Sequence, residues 1–214
     1  SKVRHAGGKT FNYYINSFAE DSDNVVTLIA KVLPEEETEV NNINPKIHTL
    51  LVRTPQNNIK KWLSYLKSIN SKFNPLYPYG NVLTREIFDQ MENKLEILYK
   101  NGYNPDVIIL EWTWMLLFVD KVKRYFPNAK YVASEHDVSF LGAKREMDRE
   151  TGLGRLYRGL YYYNLKTREL DCIKKCDYVV THNHKDRRIL LDNGIENAKV
   201  GVIVPYFESA YAKR

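Results

Sequence analysis

Short runs of apolar, β-branched residues recur along this chain, and they alternate with stretches whose apolar residues repeat at three- and four-residue spacing. The clearest run is PDVIILEW, residues 105–112. Pro105 and Asp106 punctuate it, and Val107 to Leu110 are apolar without a break. A strand that is apolar throughout has to be covered on both faces, as in a parallel sheet flanked by helices. NVVTLIAKVL, KIHTLLVRT, KYVASEHD, CDYVVTHN and AKVGVIVP read as further strands. KTFNYYINSFAE, NIKKWLSYLKSI, TREIFDQMENKLEILYKNGY, MLLFVDKVKRYF and KDRRILLDNG read as helices, with Gly102 and Gly194 as stop signals. Strand and helix in turn predict an α/β fold, a Rossmann-like doubly wound parallel sheet. The polar and aromatic stretch from about 138 to 175 carries no assigned element apart from a helix expected around Cys172 and Cys176. The acidic loop at 34–46 is too short to separate domains, so residues 1–214 are expected to form a single domain. Only six residues precede Gly7, and they make a poor strand. The first strand of such a sheet is therefore expected to be absent from this chain.

Hydrophobic content of 43% with 27% charged residues suits a globular core. No apolar stretch approaches the roughly 18–20 residues of a membrane span. Cys172 and Cys176, four residues apart, fit no common metal spacing and are poorly placed for a disulfide. They read as buried free thiols, which fits a reducing cytoplasm. A net charge of +6 invites an acidic partner, although a solvated basic surface is the commoner explanation. No nucleic-acid motif is present, and none of that class of partner is expected.

In open parallel sheets, ligands bind beyond the carboxyl ends of the strands. The residues at those ends are Glu111 and Trp112, then Glu135, His136 and Asp137, then His182, Asn183 and His184. An imidazole there can exchange a proton with a hydroxyl near neutral pH, and an adjacent carboxylate can orient it. The same residues also read as caps: His136 closing a loop, Asp137 and Asn183 at helix starts. Gly7 and Gly8 precede a helix and leave backbone N–H groups open to a phosphate or sugar, or simply make a tight turn. The histidines of THNHKDRR lack a supporting cluster, and no metal site is expected. Between 144 and 168, Lys144, Arg145, Arg149, Arg155, Arg158 and Arg168 interleave with Tyr157, Tyr161, Tyr162 and Tyr163. Arginine forks suit phosphates, and tyrosines suit sugar faces or a membrane interface. A packed helix with solvated arginines accounts for the segment as well.

Four passages in this order resemble the N-terminal, acceptor-binding domain of retaining family-4 glycosyltransferases of the GT-B fold: HAGGKTFNYY, PDVIILEW, AKYVASEHDV, and the closing unit from KKCDYVV to VIVPYFE. The resemblance implies one half of a GT-B architecture, with the C-terminal donor-binding domain outside this chain and the fragment alone inactive. It implies a nucleotide-diphosphate sugar as donor for the whole enzyme, with no cofactor bound by this half. It places Gly7 and Gly8 near the donor phosphates and His136 or Asp137 against the acceptor hydroxyl. Glu111, Glu135, Asn183 and Arg145 would be further substrate contacts. The acceptor would be a glycan or a lipid-linked sugar in cell-envelope polysaccharide synthesis. A cytoplasmic location, with peripheral contact at the inner face of the plasma membrane through the Tyr/Arg segment, goes with it. The alternatives are a non-catalytic basic module that binds an anionic polymer, and a GT-B-like sugar epimerase domain.

Overall fold

The computed structural model describes residues 6–53 and 85–204. The expected helix at NIKKWLSYLKSI, the segment before Ala6 and the residues from Pro205 onward lie outside them. Contacts divide the chain into two units, one built on residues 1–57 with 205–214 and one on 58–204. Each is described by itself.

In the first unit, helix α1 (Ala6–Glu20) leads into strand β1 (Thr27–Val32). A 3₁₀ segment (Pro34–Asn42) then returns the chain to strand β2 (His48–Arg53), which pairs with β1 in parallel. The acidic loop expected at 34–46 is thus partly helical. The Glu36 carboxylate accepts the Leu33 N–H at its start (3.0 Å). Gly7 and Gly8 lie inside the first turn of α1, not in a loop before it, and Gly8 is buried.

The second unit opens with helix α2 (Arg85–Lys100), followed by β3 (Val107–Glu111), the short helices α3 (Thr113–Leu116) and α4 (Val119–Tyr125), and β4 (Lys130–Glu135). The stretch from 138 to 175 is a helical hairpin, α5 (Ser139–Arg149) and α6 (Gly152–Lys174). Strand β5 (Tyr178–Thr181), helix α7 (His184–Asp192) and strand β6 (Val200–Val202) complete it. The four strands form one parallel sheet in chain order, β3-β4-β5-β6. This is an α/β arrangement of parallel strands and helices, consistent with a Rossmann-like fold. No helix among the described residues is long and apolar enough to cross a membrane.

The core of this unit holds Leu110, Tyr131, Ala133 and Val179 from the strands, with Leu116, Val119, Phe140, Leu165 and Ile173 from the helices. Cys172 and Cys176 are buried free thiols, and burial pushes both above the ordinary thiol range, Cys176 to about 12. Double-sided burial fails at β3, where Val107 and Ile109 remain exposed while Leu110 is covered. The run is apolar on both sides, yet the described helices cover only one.

Both glycine stops end their helices in the left-handed region. Gly102 has φ 75° and Gly194 has φ 83°. After α7, Ile195 N–H reaches Leu190 O at 3.1 Å and Gly194 N–H reaches Leu191 O at 3.0 Å, the paired pattern that satisfies a helix's last carbonyls. Gly142 differs, since it lies inside α5 and a Cβ there meets open space. Gly194→Ala is therefore expected to destabilise by about 1 kcal/mol through backbone strain. Gly142→Ala should stabilise by roughly 0.5–1 kcal/mol through helix propensity. Urea unfolding of the two variants beside the parent protein measures both signs.

Candidate functional site

At the carboxyl edge of the four-stranded sheet, β3 passes directly into α3 through Trp112. The ladder continues one residue past the strand, with Trp112 N–H on Ser134 O at 3.0 Å. The chain then turns at φ 65°, ψ 148°, a conformation costly for a bulky residue. The turn lays the indole on His136, with ring centroids 4.7 Å apart and planes 19° apart, and Trp114 stacks on Trp112 at 5.9 Å. His182, at the end of β5, meets His136 at 4.5 Å. Glu111 Oε2 lies 2.9 Å from His136 Nε2.

Chemistry fixes parts of this geometry. A carboxylate facing Nε2 favours the tautomer with its N–H there and leaves Nδ1 as the basic nitrogen. The His182 Nδ1 lies 3.0 Å from the Ile203 carbonyl, which can only accept, so Nδ1 is the protonated nitrogen of that ring. Side-chain exposure is 9% at His136 and 19% at Glu111, so the dyad is mostly covered and still meets solvent at its edge.

Behind the rim is a second cluster. Residue alternation along β4 turns Glu135 away from the side His136 occupies, and Glu135 is fully buried. The Thr113 hydroxyl donates to its Oε2 at 2.6 Å, and the Ser139 hydroxyl donates to Thr113 Oγ1 at 2.8 Å. Glu135 Oε1 has no hydrogen-bond partner. Glu169, from the last third of α6, is equally buried and accepts the N–H groups of Ser139 (2.9 Å) and Phe140 (3.0 Å). The start of α5 is thus satisfied by a carboxylate from α6. Asp137 does not cap it: the cap position is Val138, without a side-chain bond, and Asp137 is exposed.

Burial raises the Glu135 carboxyl to about 8. The Thr113 bond opposes the rise, while the charges of Asp186, Asp137 and Glu111 add to it. Burial also lifts Glu169 well above the carboxylate range, and the charge of Glu135 adds to this against the two backbone donors. The donor pattern divides the roles. Glu169 receives two N–H groups and suits the anion, whereas Glu135, with an unmatched oxygen, suits the protonated acid.

The expected site residues are distributed as follows. Glu111, His136 and Glu135 gather at the end of β3 and β4. Asn183 caps α7, accepting Asp186 N–H at 2.8 Å and donating to Asp186 Oδ2 at 2.7 Å, so both ends of its amide serve that turn. Arg145 is exposed on α5. Gly7 and Gly8 belong to the other unit. Thr113 and Glu169 were not expected. A signal for Glu169 exists, since it stands four residues from both Leu165 and Ile173, on the apolar side of its helix. Among the described residues, no group of three or more His, Cys, Asp or Glu is arranged to hold a metal ion. Compared with known proteins, the chain matches no family model and no curated sequence.

The acid pair makes stability depend on pH. An acid whose folded pKa is raised keeps a proton that the unfolded chain releases, so raising the pH favours unfolding. For Glu135 the window runs from the ordinary value of 4.5 to about 8. Across it, the urea midpoint of the parent protein should fall with pH more steeply than that of Glu135→Gln, which keeps the shape and lacks the titration. Parallel slopes for the two proteins would show that Glu135 ionises normally.

Proposed function

We propose that this chain is the acceptor-binding part of a nucleotide-sugar-dependent glycosyltransferase of GT-B architecture, and that the acceptor sugar docks at the Glu111–Trp112–His136 rim. The observation that carries the reading is His136, held 2.9 Å from Glu111 with its ring against Trp112, at the carboxyl end of parallel strands. Indole faces suit the C–H face of a sugar ring. An imidazole oriented by a carboxylate can take a hydroxyl proton as the new glycosidic bond forms. The four ordered passages from HAGGK to VIVPYFE support the same family. A donor domain supplied by a longer chain completes this reading, with the nucleotide-diphosphate sugar as its substrate and no resident cofactor in this half.

Exposure of 9% at His136 narrows the approach to the imidazole, so the acceptor is expected to present an end, not a flank. Acceptor glycans titrated while tryptophan fluorescence is followed should quench the Trp112–Trp114 pair. His136→Ala should weaken that binding by about tenfold with little loss of stability. In a chain that also carries the donor domain, the same substitution should lower kcat by about 10²-fold or more. Sugar transfer at the parent rate by folded His136→Ala would remove the acceptor-site assignment.

A further inference from the structure

Thr113 sits where the buried acid meets the rim, and its hydroxyl has three oxygen neighbours. Glu135 Oε2 lies 2.6 Å from Thr113 Oγ1, Ser139 Oγ 2.8 Å and the Asp137 backbone oxygen 3.3 Å. A hydroxyl has one proton to donate and two lone pairs with which to accept. The Asp137 carbonyl can only accept, so that contact exists only when Thr113 directs its one proton there. Ser139 and Glu135 must then both donate to Thr113. All three contacts hold at once only if Glu135 Oε2 carries a proton. The other carboxyl oxygen leads to the same placement. Glu135 Oε1 is buried without a hydrogen-bond partner, so a proton there would find no acceptor.

Ionising Glu135 reverses the order. A carboxylate has nothing to donate, so the Thr113 proton turns to Oε2 and the Asp137 carbonyl loses it, while the proton from Glu135 passes to solvent. Asp137 follows His136 directly, in the loop between β4 and α5. The Thr113 proton therefore links the state of a buried acid to the backbone beside the imidazole. The groups that face Glu135 from the surrounding elements are Glu111 at the end of β3, Asp137 in the loop, Glu169 on α6 and Asp186 on α7, with the Cys176 thiol ahead of β5. Burial first, and then the acid charges, favour the proton on Glu135, which is held below about pH 8 and released above it.

We infer that Thr113 is a positioning residue for the rim: its hydroxyl proton moves between the Asp137 carbonyl and Glu135 Oε2 as Glu135 gains or loses its own, giving the loop that begins at His136 two settings. The relay is read without any sugar present, so it holds or fails independently of the transferase reading.

Carbon NMR of the Asp137 carbonyl, followed through a pH titration, tests it. In the parent protein the signal should move as one proton leaves, with a midpoint near pH 8, and the His136 ring signals should move with it. Glu135→Gln offers Thr113 a side-chain N–H at every pH, so its Asp137 signal should stay at the parent's acid-side position. Thr113→Val lacks the proton and should stay near the parent's alkaline position, while Thr113→Ser, which keeps the hydroxyl, should restore the step. Titration of His136 and His182 enters the parent and Glu135→Gln alike and cancels in their difference. A step of parent size in Glu135→Gln would assign the proton to another acid and overturn the proposal. So would an undiminished step in Thr113→Val, or a parent signal that does not move near pH 8. If Thr113→Val does not fold, Thr113→Ser still decides, because a flat signal there beside a moving parent would overturn the relay too.

Discussion

Two buried carboxyl groups hold the second unit together at its most consequential corner. Glu135 comes from β4 and Glu169 from α6, and the charges each feels most are negative. Ionising both in a space closed to water costs far more than a protein of ordinary stability can give up. A retained proton relieves the conflict, and four hydrogen bonds then organise what surrounds it. Thr113 and Ser139 join the start of α3 to the start of α5 through Glu135 Oε2. Glu169 holds the first turn of α5 by two backbone N–H groups. The end of one strand, the beginnings of two helices and the last third of another are thereby fixed to one centre.

The rim inherits its geometry from that centre. His136 follows Glu135 by one residue, so the anchor on one side of β4 sets the position of the imidazole on the other. Trp112 precedes Thr113 in the same way and is held at φ 65°. A strained backbone costs about 1–3 kcal/mol and persists only where its neighbours over-determine it. Here the Ser134 carbonyl, the Thr113 hydroxyl network and the His136 ring all constrain that turn. The strain is an observation of the backbone, and it falls at the rim, beside the His136 ring.

The strands and most helices were legible because each carries its own periodicity or its own stop residue, as at Gly102 and Gly194. The 138–175 hairpin was not. In the first half of α6 leucines and tyrosines cover both the core side and the exposed side, so no single apolar face emerges from the sequence. The sequence also places Asp137 where a cap belongs, yet a carboxylate 30 residues away reaches the Ser139 N–H, and local order contains no trace of that substitution. His136 and Glu111 could be named as separate strand tips. Their pairing depends on the parallel register that sets Glu111 beside Ser134, which only the sheet supplies.

The hairpin then joins two properties that need not interfere. Glu169 fastens α6 to the rim, whereas the exposed leucines occupy the end nearest the α5–α6 turn. At 1.5 Å per residue, Leu153 and Leu156 stand about 20–24 Å along the helix axis from Glu169. Between them the buried side of α6 packs through Tyr162 and Leu165, so a polar side chain at 153 or 156 alters the surface without reaching the acid pair. The exposed end of α6 and its buried anchor at Glu169 are consequently separable by mutation, although one helix carries both.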